Sequence, residues 1–341
     1  IFFYYNNKKG EKMIKNIMQF LAISILISCC ISMPVKANNS GNTKYPIVLV
    51  HGLSGFDSAL ADYFYGVKGA LASVGSNQVY TPQVTGYETS EARGEELLTY
   101  LEELSAVTGI TQFNLIGHSQ GGIDSRYVAS VRPDLVASVT SVGSPHFGSG
   151  TADFIKDSSL EGVTLSIGNA VGTFLAAITG DSSQQSNAMG SLEALNSTDA
   201  AIFNAKYPEG LRQGACQKTP SHNAGSWWWP NWVSDYSVND GDHQVNGVAY
   251  YSWAGTYNPL VDSNILDLAD GLLSVTYLTI DEANDGVVGR CSTHLGKVIR
   301  DDYTMNHADE INGMFGLRGL WSANPLQLYK DHARRLAAAG L

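Results

Sequence analysis

Hydrophobic residues in the first half of the chain cluster in short runs that alternate with longer amphipathic segments. The runs Ile-Val-Leu-Val at 47–50 and Phe-Asn-Leu-Ile at 113–116 are typical of strands buried on both faces of a sheet. Residues 90–109 instead carry leucines at helical spacing, with Ser90 as a cap and Gly109 at the end. Strands that alternate with helices predict an α/β fold with a mostly parallel sheet and right-handed crossovers.

The same pattern predicts the bounds of the other elements. We predict strands at 47–50, 78–84, 113–116, 136–145 and 274–280, and helices at 66–76, 90–109 and 123–130. Residues 160–180 place hydrophobic side chains on one helical face, although three glycines weaken that helix. This segment fits either a core helix or a mobile lid. We adopt the lid, at about 158–182, within a single domain that spans 38–341.

The first 37 residues follow the order of an export signal. Met13 offers a start, an apolar stretch follows at 17–31, and Val-Lys-Ala at 35–37 offers a cleavage site. The stretch is short for a membrane span. We predict upstream read-through at 1–12, a signal peptide at 13–37 and secretion through the periplasm. Alternatively, Leu-Ile-Ser-Cys at 26–29 is typical of a lipoprotein signal that would anchor the chain at Cys29.

The net charge and the cysteine content indicate which partners are disfavoured and whether a disulfide is expected. The formal net charge of -11 argues against nucleic acid or an anionic membrane as a partner. Of the 4 cysteines, Cys216 and Cys291 remain once the predicted signal is removed. Two cysteines in an exported chain most simply form one disulfide.

The segment Gly117-His118-Ser119-Gln120-Gly121 lies between a predicted strand and a predicted helix. It fits the Gly-x-Ser-x-Gly corner, which strains the backbone at the serine and presents its hydroxyl above the sheet. The flanking glycines would let the strand and the helix approach closely. Because an ordinary glycine-rich turn also fits this segment, the interpretation depends on the rest of the chain.

A serine nucleophile requires a histidine base and a carboxylate that orients the histidine. In this architecture both partners follow the serine along the chain. Asp285 precedes a glycine turn after the predicted strand at 274–280, and Asp281 and Glu282 compete with it. His307 lies in a polar loop and is the preferred base. The competing histidines are His222, His243, His294 and His332.

The tetrahedral intermediate of such a reaction needs two backbone N–H donors for its oxyanion. One donor is expected from Gln120, the residue after the serine. The other is expected from the loop after the first strand, at Leu53.

A longer set of motifs resembles one family, the secreted triacylglycerol lipases of Gram-negative bacteria (the Pseudomonas and Burkholderia true-lipase group). The resemblance extends from Tyr45 nearly to the end of the chain. The matching stretches are YPIVLVHGLSGFD, TSEARGEELL, NLIGHSQGG, RYVASVRPDLVASVTSVGSPHFGS, SLEALNS, FNAKYPEG, NDGVVGRCSTHLG and IRDDYTMNHADEINGMFGL.

The resemblance implies an α/β-hydrolase fold with a helical lid, and hydrolysis of triacylglycerol through an acyl-enzyme. The family's triad falls on Ser119, Asp285 and His307. Its oxyanion donors fall on Leu53 and Gln120, and its disulfide falls on Cys216 and Cys291.

The resemblance also implies one structural Ca²⁺ beside the histidine loop. Its ligands would be the carboxylates of Asp267 and Asp309 and the carbonyls of Gly313 and Leu317. The distance in sequence from the segment NILDLAD, which contains Asp267, to Asp285 is about two residues shorter than in the family. Asp270 is therefore an alternative to Asp267. The implied partners are a membrane-anchored folding chaperone dedicated to the lipase and the type II secretion machinery.

The chain departs from the family at two places. Some members carry histidine where this chain has Gln120, a change that a backbone donor tolerates. Residues 219–244, which contain a cluster of tryptophans, are an insertion whose role the resemblance does not explain. The alternative functions are an esterase or phospholipase that acts on other carboxylic esters, and a non-catalytic binding protein that retains the hydrolase fold.

Overall fold

The computed structural model describes residues 39–53, 57–58, 61–157, 192, 194–218, 222–223, 232–233, 236–260, 262–264, 267–319 and 321–341. The predicted read-through, signal peptide and Cys29 lie outside these residues, as do the predicted lid at 158–182 and much of the predicted insertion at 219–244. No helix among the described residues is both long enough and apolar enough to cross a bilayer.

The helices and strands have the following bounds. The strands are β1 (Ile47–Val50), β2 (Asp57–Ser58), β3 (Ala61–Asp62), β4 (Val79–Tyr80), β5 (Phe113–His118), β6 (Val136–Val142), β7 (Arg212–Lys218), β8 (His222–Asn223), β9 (Trp232–Val233), β10 (Tyr236–Gly241), β11 (Gln244–Val245), β12 (Val248–Thr256) and β13 (Lys297–Thr304). The helices are α1 (Val67–Ala72), α2 (Ser90–Thr108), α3 (Gln120–Val131), α4 (Gly150–Asp157), α5 (Ser197–Lys206), α6 (Leu268–Tyr277) and α7 (Pro325–Ala338).

One sheet organises the described part of the chain. Its order is β4, β1, β5, β6 and β12, and all four of these contacts are parallel. The outer edge of β12 pairs in parallel with β13 and antiparallel with β11. The other described strands form separate antiparallel pairs, β2 with β3, β7 with β10 and β8 with β9. The prediction of a mostly parallel sheet is therefore confirmed.

Both faces of the sheet are covered by hydrophobic side chains. Val48 and Val50 of β1 belong to one buried cluster, and Ile47 and Leu49 belong to another. All four are fully buried. Because alternate residues of a strand point to opposite faces, burial on both faces explains why the run is hydrophobic at every position.

Helix α2 shows how local sequence sets an element's ends. The Thr89 side chain accepts the Ala92 N–H at the N-terminus, and Gly109 adopts a left-handed conformation (φ 73) at the C-terminus. The cap is therefore Thr89, one residue before the predicted Ser90. Gly109 ends the helix as predicted, because glycine reaches positive φ without a steric penalty.

Two predicted strands differ from the structure. The prediction of a strand at 274–280 is wrong, because residues 268–277 form helix α6, whose N-terminus is capped by the Asp267 side chain. A short hydrophobic run does not distinguish a buried helix from a buried strand. The strand predicted at 78–84 is limited to Val79–Tyr80. Pro82 follows it and has no N–H to donate to a ladder.

A disulfide joins Cys216 of β7 to Cys291, with their Cα atoms 5.8 Å apart. Cys291 lies in a 3-10 helix, Arg290–Thr293, that begins five residues after Asp285. The bond closes a loop across a sequence separation of 75 residues. It therefore ties the segment that follows Asp285 to a distant part of the chain.

Loss of this disulfide should destabilise the fold by about 4 kcal/mol, because a long loop gains conformational freedom in the unfolded chain. Urea unfolding with and without dithiothreitol measures this difference. The Cys216→Ser/Cys291→Ser variant should unfold at the midpoint of the reduced protein and should not respond to reductant. Equal midpoints for the oxidised and reduced protein would contradict the expectation.

Candidate active site

Ser119 lies at a sharp corner between β5 and α3. Its backbone has φ 55 and ψ -130, a conformation that a residue with a side chain rarely adopts. A Cβ at Gly117 would lie 2.2 Å from the Gly121 carbonyl oxygen. A Cβ at Gly121 would lie 2.3 Å from the Val50 carbonyl oxygen. Both glycines are therefore required by close backbone approach, and the segment is a nucleophile elbow in geometry as well as in sequence.

His307 and Asp285 are brought together although 22 residues separate them. His307 Nδ1 lies 2.6 Å from Asp285 Oδ2, and the His307 N–H donates to the Asp285 carbonyl at 2.9 Å. The other carboxylate oxygen accepts the N–H groups of Val287 and Val288. Because an ionised carboxylate only accepts hydrogen bonds, Nδ1 carries the proton. Nε2 of His307 is then left with a lone pair that can accept one.

The other candidate histidines bond to different groups. His294 Nε2 pairs with Asp301 at 2.8 Å, and His332 Nε2 pairs with the Thr140 hydroxyl at 2.7 Å. His243 Nδ1 meets the Tyr250 carbonyl. The side chain of His222 lies outside the described residues. Among the described histidines, the geometry therefore favours His307 as the base.

The loop after β1 carries the predicted oxyanion donor Leu53, and a buried arginine holds that loop. Arg93 of α2 is fully buried and donates to the carbonyls of His51 and Gly52 at 2.7 and 3.3 Å. It also forms an ion pair with Asp124 of α3 at 2.8 Å. Arg93 therefore links the loop of Leu53 to the helix that begins at Gln120. Sequence reasoning did not single it out, because a charged residue in an amphipathic helix is usually exposed.

Glu310 is a second buried group that sequence reasoning missed. Its Oε1 accepts the Gly255 N–H at 2.6 Å, and its Oε2 lies 3.3 Å from His118 Nε2 and 3.8 Å from His307 Nδ1. Burial, with added repulsion from Asp285, holds the pKa of Glu310 well above its usual value. The sequence offered one indication of its role: Glu310 lies three residues after His307, a spacing that brings two side chains together on a helical turn.

His118, His307 and Glu310 each place a ligand atom within 4.8 Å of the others, as a metal site would. The hydrogen bonds account for this cluster in another way. His307 Nδ1 donates to Asp285, and His118 Nε2 donates to the His307 carbonyl at 3.0 Å. A protonated ring nitrogen has no lone pair to offer a metal. We therefore assign these residues to a hydrogen-bonded cluster.

The predicted calcium ligands lie close to the histidine loop. Asp267 and Asp309 are buried, and among the described residues Asp267 Oδ2 and Asp309 Oδ1 have no hydrogen-bond partner. Burial, with repulsion between neighbouring carboxylates, raises the pKa of Asp309 to about 7 and that of Asp267 to about 6. Both oxygens of Asp270 are engaged, by the Asn264 N–H and the Asn306 amide. Asp267 therefore fits a cation better than the alternative Asp270.

The sequence is similar to those of known proteins. The family model described as alpha/beta hydrolase fold matches residues 45–283. A triacylglycerol lipase of Vibrio cholerae is 46% identical over 305 residues, covering 88% of this chain and 89% of that protein. A triacylglycerol lipase of Pseudomonas fragi is 40% identical, covering 89% of this chain and all of that protein. The chain belongs to the triacylglycerol lipase family of α/β hydrolases. The family resemblance drawn from the motifs is thus confirmed.

Solved structures support the fold independently. The mature form of lipase BlEst2 from Bacillus licheniformis superposes with a TM-score of 0.53 at 19% identity, covering 83% of this chain and 91% of that one. At that identity the likeness shows the fold and no more.

The geometry predicts that His307 is essential for turnover and that the buried His294 is not. His307→Ala should lower kcat by about 10⁴-fold or more, as for other triad members. His294→Ala, the matched control, should lower the melting temperature but leave the rate per folded molecule within about tenfold of wild type. Ester hydrolysis and thermal unfolding measure both effects. A mild His307→Ala variant beside an inactive His294→Ala variant would overturn the assignment of the base.

Proposed function

We propose that this protein hydrolyses the ester bonds of triacylglycerol by nucleophilic catalysis at Ser119. The observation that carries the proposal is the His307–Asp285 hydrogen bond, together with the strained backbone of Ser119, whose neighbour His118 hydrogen-bonds to the His307 carbonyl. The chain that builds this site is 46% identical to a triacylglycerol lipase.

The first half of the reaction forms an acyl-enzyme. Ser119 Oγ attacks the ester carbonyl carbon while His307 Nε2 takes its proton. The carbonyl electron pair moves onto oxygen and gives a tetrahedral oxyanion. The intermediate collapses when the bond to the alcohol oxygen breaks, and His307 gives its proton to that leaving oxygen. Asp285 keeps the imidazole in the required tautomer and stabilises its charged form.

The second half consumes water. His307 Nε2 removes a proton from a water molecule, whose oxygen attacks the acyl carbon of the ester on Ser119. The second tetrahedral intermediate expels Ser119 Oγ, which regains its proton from His307, and a fatty acid leaves. The backbone N–H groups of Leu53 and Gln120 are the proposed donors to the oxyanion in both halves.

The family resemblance adds three expectations to this proposal. The protein would be secreted after removal of the signal peptide at 13–37, it would have a lid at about 158–182, and it would need a dedicated folding chaperone and the type II secretion machinery. Esterase or phospholipase activity on other carboxylic esters is the alternative enzymatic function.

Hydrolysis of emulsified long-chain triacylglycerol, compared with dissolved short-chain esters, tests the substrate class. Wild type should release fatty acid from the emulsion faster per active site, and Ser119→Ala should lower both activities by about 10⁴-fold or more. Activity on dissolved esters alone would favour the esterase. Full activity of Ser119→Ala would contradict the mechanism.

We also propose that one Ca²⁺ binds beside the histidine loop. Calcium takes oxygen ligands from carboxylates and backbone carbonyls. Asp267 and Asp309 each accept a hydrogen bond at one carboxylate oxygen, from the Ala269 N–H and from the Ser322 hydroxyl. The other oxygen of each is buried and has no hydrogen-bond partner among the described residues. Gly313 and Leu317 lie in the loop that follows Asp309 and would supply carbonyls. The bound ion would neutralise the buried carboxylates and fix the loop that carries His307.

Chelation with EDTA should therefore lower the melting temperature, and added Ca²⁺ should restore it. Asp309→Asn should hold less metal by elemental analysis, and its melting temperature should not respond to Ca²⁺. Asp331→Asn, which alters an exposed carboxylate of α7, should keep the response. Unchanged melting after exhaustive chelation, with no metal detected, would rule out this site.

A further inference from the structure

Hydrogen bonds run without a break from the loop after β1 to the loop of His307, and they pass through the residue before Ser119. The Gly52 N–H lies 3.0 Å from the Tyr63 hydroxyl, and that hydroxyl lies 2.7 Å from His118 Nδ1. His118 Nε2 lies 3.0 Å from the His307 carbonyl oxygen. We infer that Tyr63 and His118 are positioning residues. They hold the loop after β1 (residues 51–53, called the oxyanion loop because it carries Leu53) at a fixed distance from the nucleophile Ser119 and the base His307.

The chemistry of the groups fixes the direction of every bond in this chain. The His307 carbonyl can only accept, so His118 Nε2 carries the proton. A neutral imidazole then accepts at Nδ1, so the Tyr63 hydroxyl donates to it. The Gly52 N–H can only donate, and it donates to a lone pair of the Tyr63 hydroxyl oxygen. The Tyr63 hydroxyl thus donates one hydrogen bond and accepts another, and a phenylalanine at position 63 could do neither.

Electrostatics keeps these groups in the required protonation states. Burial raises the pKa of Tyr63 and lowers the pKa of His118 well below its usual value, where the proximity of His307 lowers it further. Tyr63 therefore remains protonated and His118 remains neutral near pH 7.

The backbone of the oxyanion loop is packed so closely at Gly52 that it has little room to move relative to Ser119. A Cβ built on Gly52 would lie 2.7 Å from Ser119 Cβ and 2.8 Å from the Tyr63 hydroxyl. The backbone that precedes Leu53 thus lies directly against the nucleophile. The two bonds of Tyr63 set the separation between Gly52 and His118, and hence between the Leu53 N–H and Ser119.

This inference rests on the proposed function, because it assigns a role in stabilising the oxyanion. A displaced oxyanion donor weakens binding of the transition state more than binding of the substrate. Loss of the Tyr63 hydroxyl should therefore lower kcat and leave KM nearly unchanged. It should slow acylation and deacylation alike, because an oxyanion forms in both.

Tyr63→Phe tests the inference on a dissolved p-nitrophenyl ester, with active sites counted by stoichiometric labelling of Ser119 with an organophosphate. We expect kcat to fall by about 10- to 100-fold with KM within about threefold of wild type. Tyr329→Phe is the matched control, because Tyr329 packs in the neighbouring hydrophobic cluster and its buried hydroxyl has no partner among the described residues. It should leave both constants unchanged.

His118→Gln supplies the second arm, since its amide keeps a donor for the His307 carbonyl. If both residues act through one chain of bonds, adding Tyr63→Phe to His118→Gln should lower kcat by less than about threefold more. Multiplicative losses, or a Tyr63→Phe variant as active as Tyr329→Phe, would overturn the inference while the proposed function stands. A wild type that neither reacts with the organophosphate nor hydrolyses any ester would overturn both.

Discussion

The close backbone contact at the corner after β5 is the constraint on which the rest of the site depends. Gly121 approaches the carbonyl of Val50 so closely that a single Cβ there would lie 2.3 Å from that oxygen. This contact sets the first turn of α3 against the end of β1. The loop that carries Leu53 begins at that end, so the elbow and the oxyanion loop are neighbours because β1 and β5 are adjacent in the sheet.

Buried hydrogen bonds and an ion pair then hold the loops of the site in place at this end of the sheet. Arg93 and Asp124 form a fully buried ion pair, whose desolvation cost is offset in part by the hydrogen bonds from Arg93 to two loop carbonyls. Tyr63 and His118 form a second link, from the same loop to the segment of His307. The first link ties the loop of Leu53 to helix α3, and the second ties the same loop to the segment of His307. Their positions explain why charged and polar side chains occur in the core of this protein.

The sequence predicted the parts of the fold and the site that have local signatures. The glycines around Ser119 and the hydrophobic run of β1 are patterns of adjacent residues that can be recognised in the sequence, and the structure agrees with both. Arg93 and Tyr63 were not predicted, because their partners lie elsewhere along the chain and leave no local pattern. Glu310 offered only its spacing of three residues from His307, and its other neighbours, Gly255 and His118, are distant in sequence. The misassigned strand at 274–280 has a related cause. Only its tertiary surroundings distinguish a buried helix from a strand of the same composition.

The most direct measurement of the central claim is mass spectrometry of the enzyme quenched in acid during turnover of a long-chain triacylglycerol. The account predicts a fatty-acyl ester on the peptide that contains Ser119, and its absence in the Ser119→Ala and His307→Ala variants, because His307 must take the Ser119 proton before the ester can form. An acyl group on a different residue, or rapid turnover in which no acyl-enzyme forms at any quench time, would contradict the account.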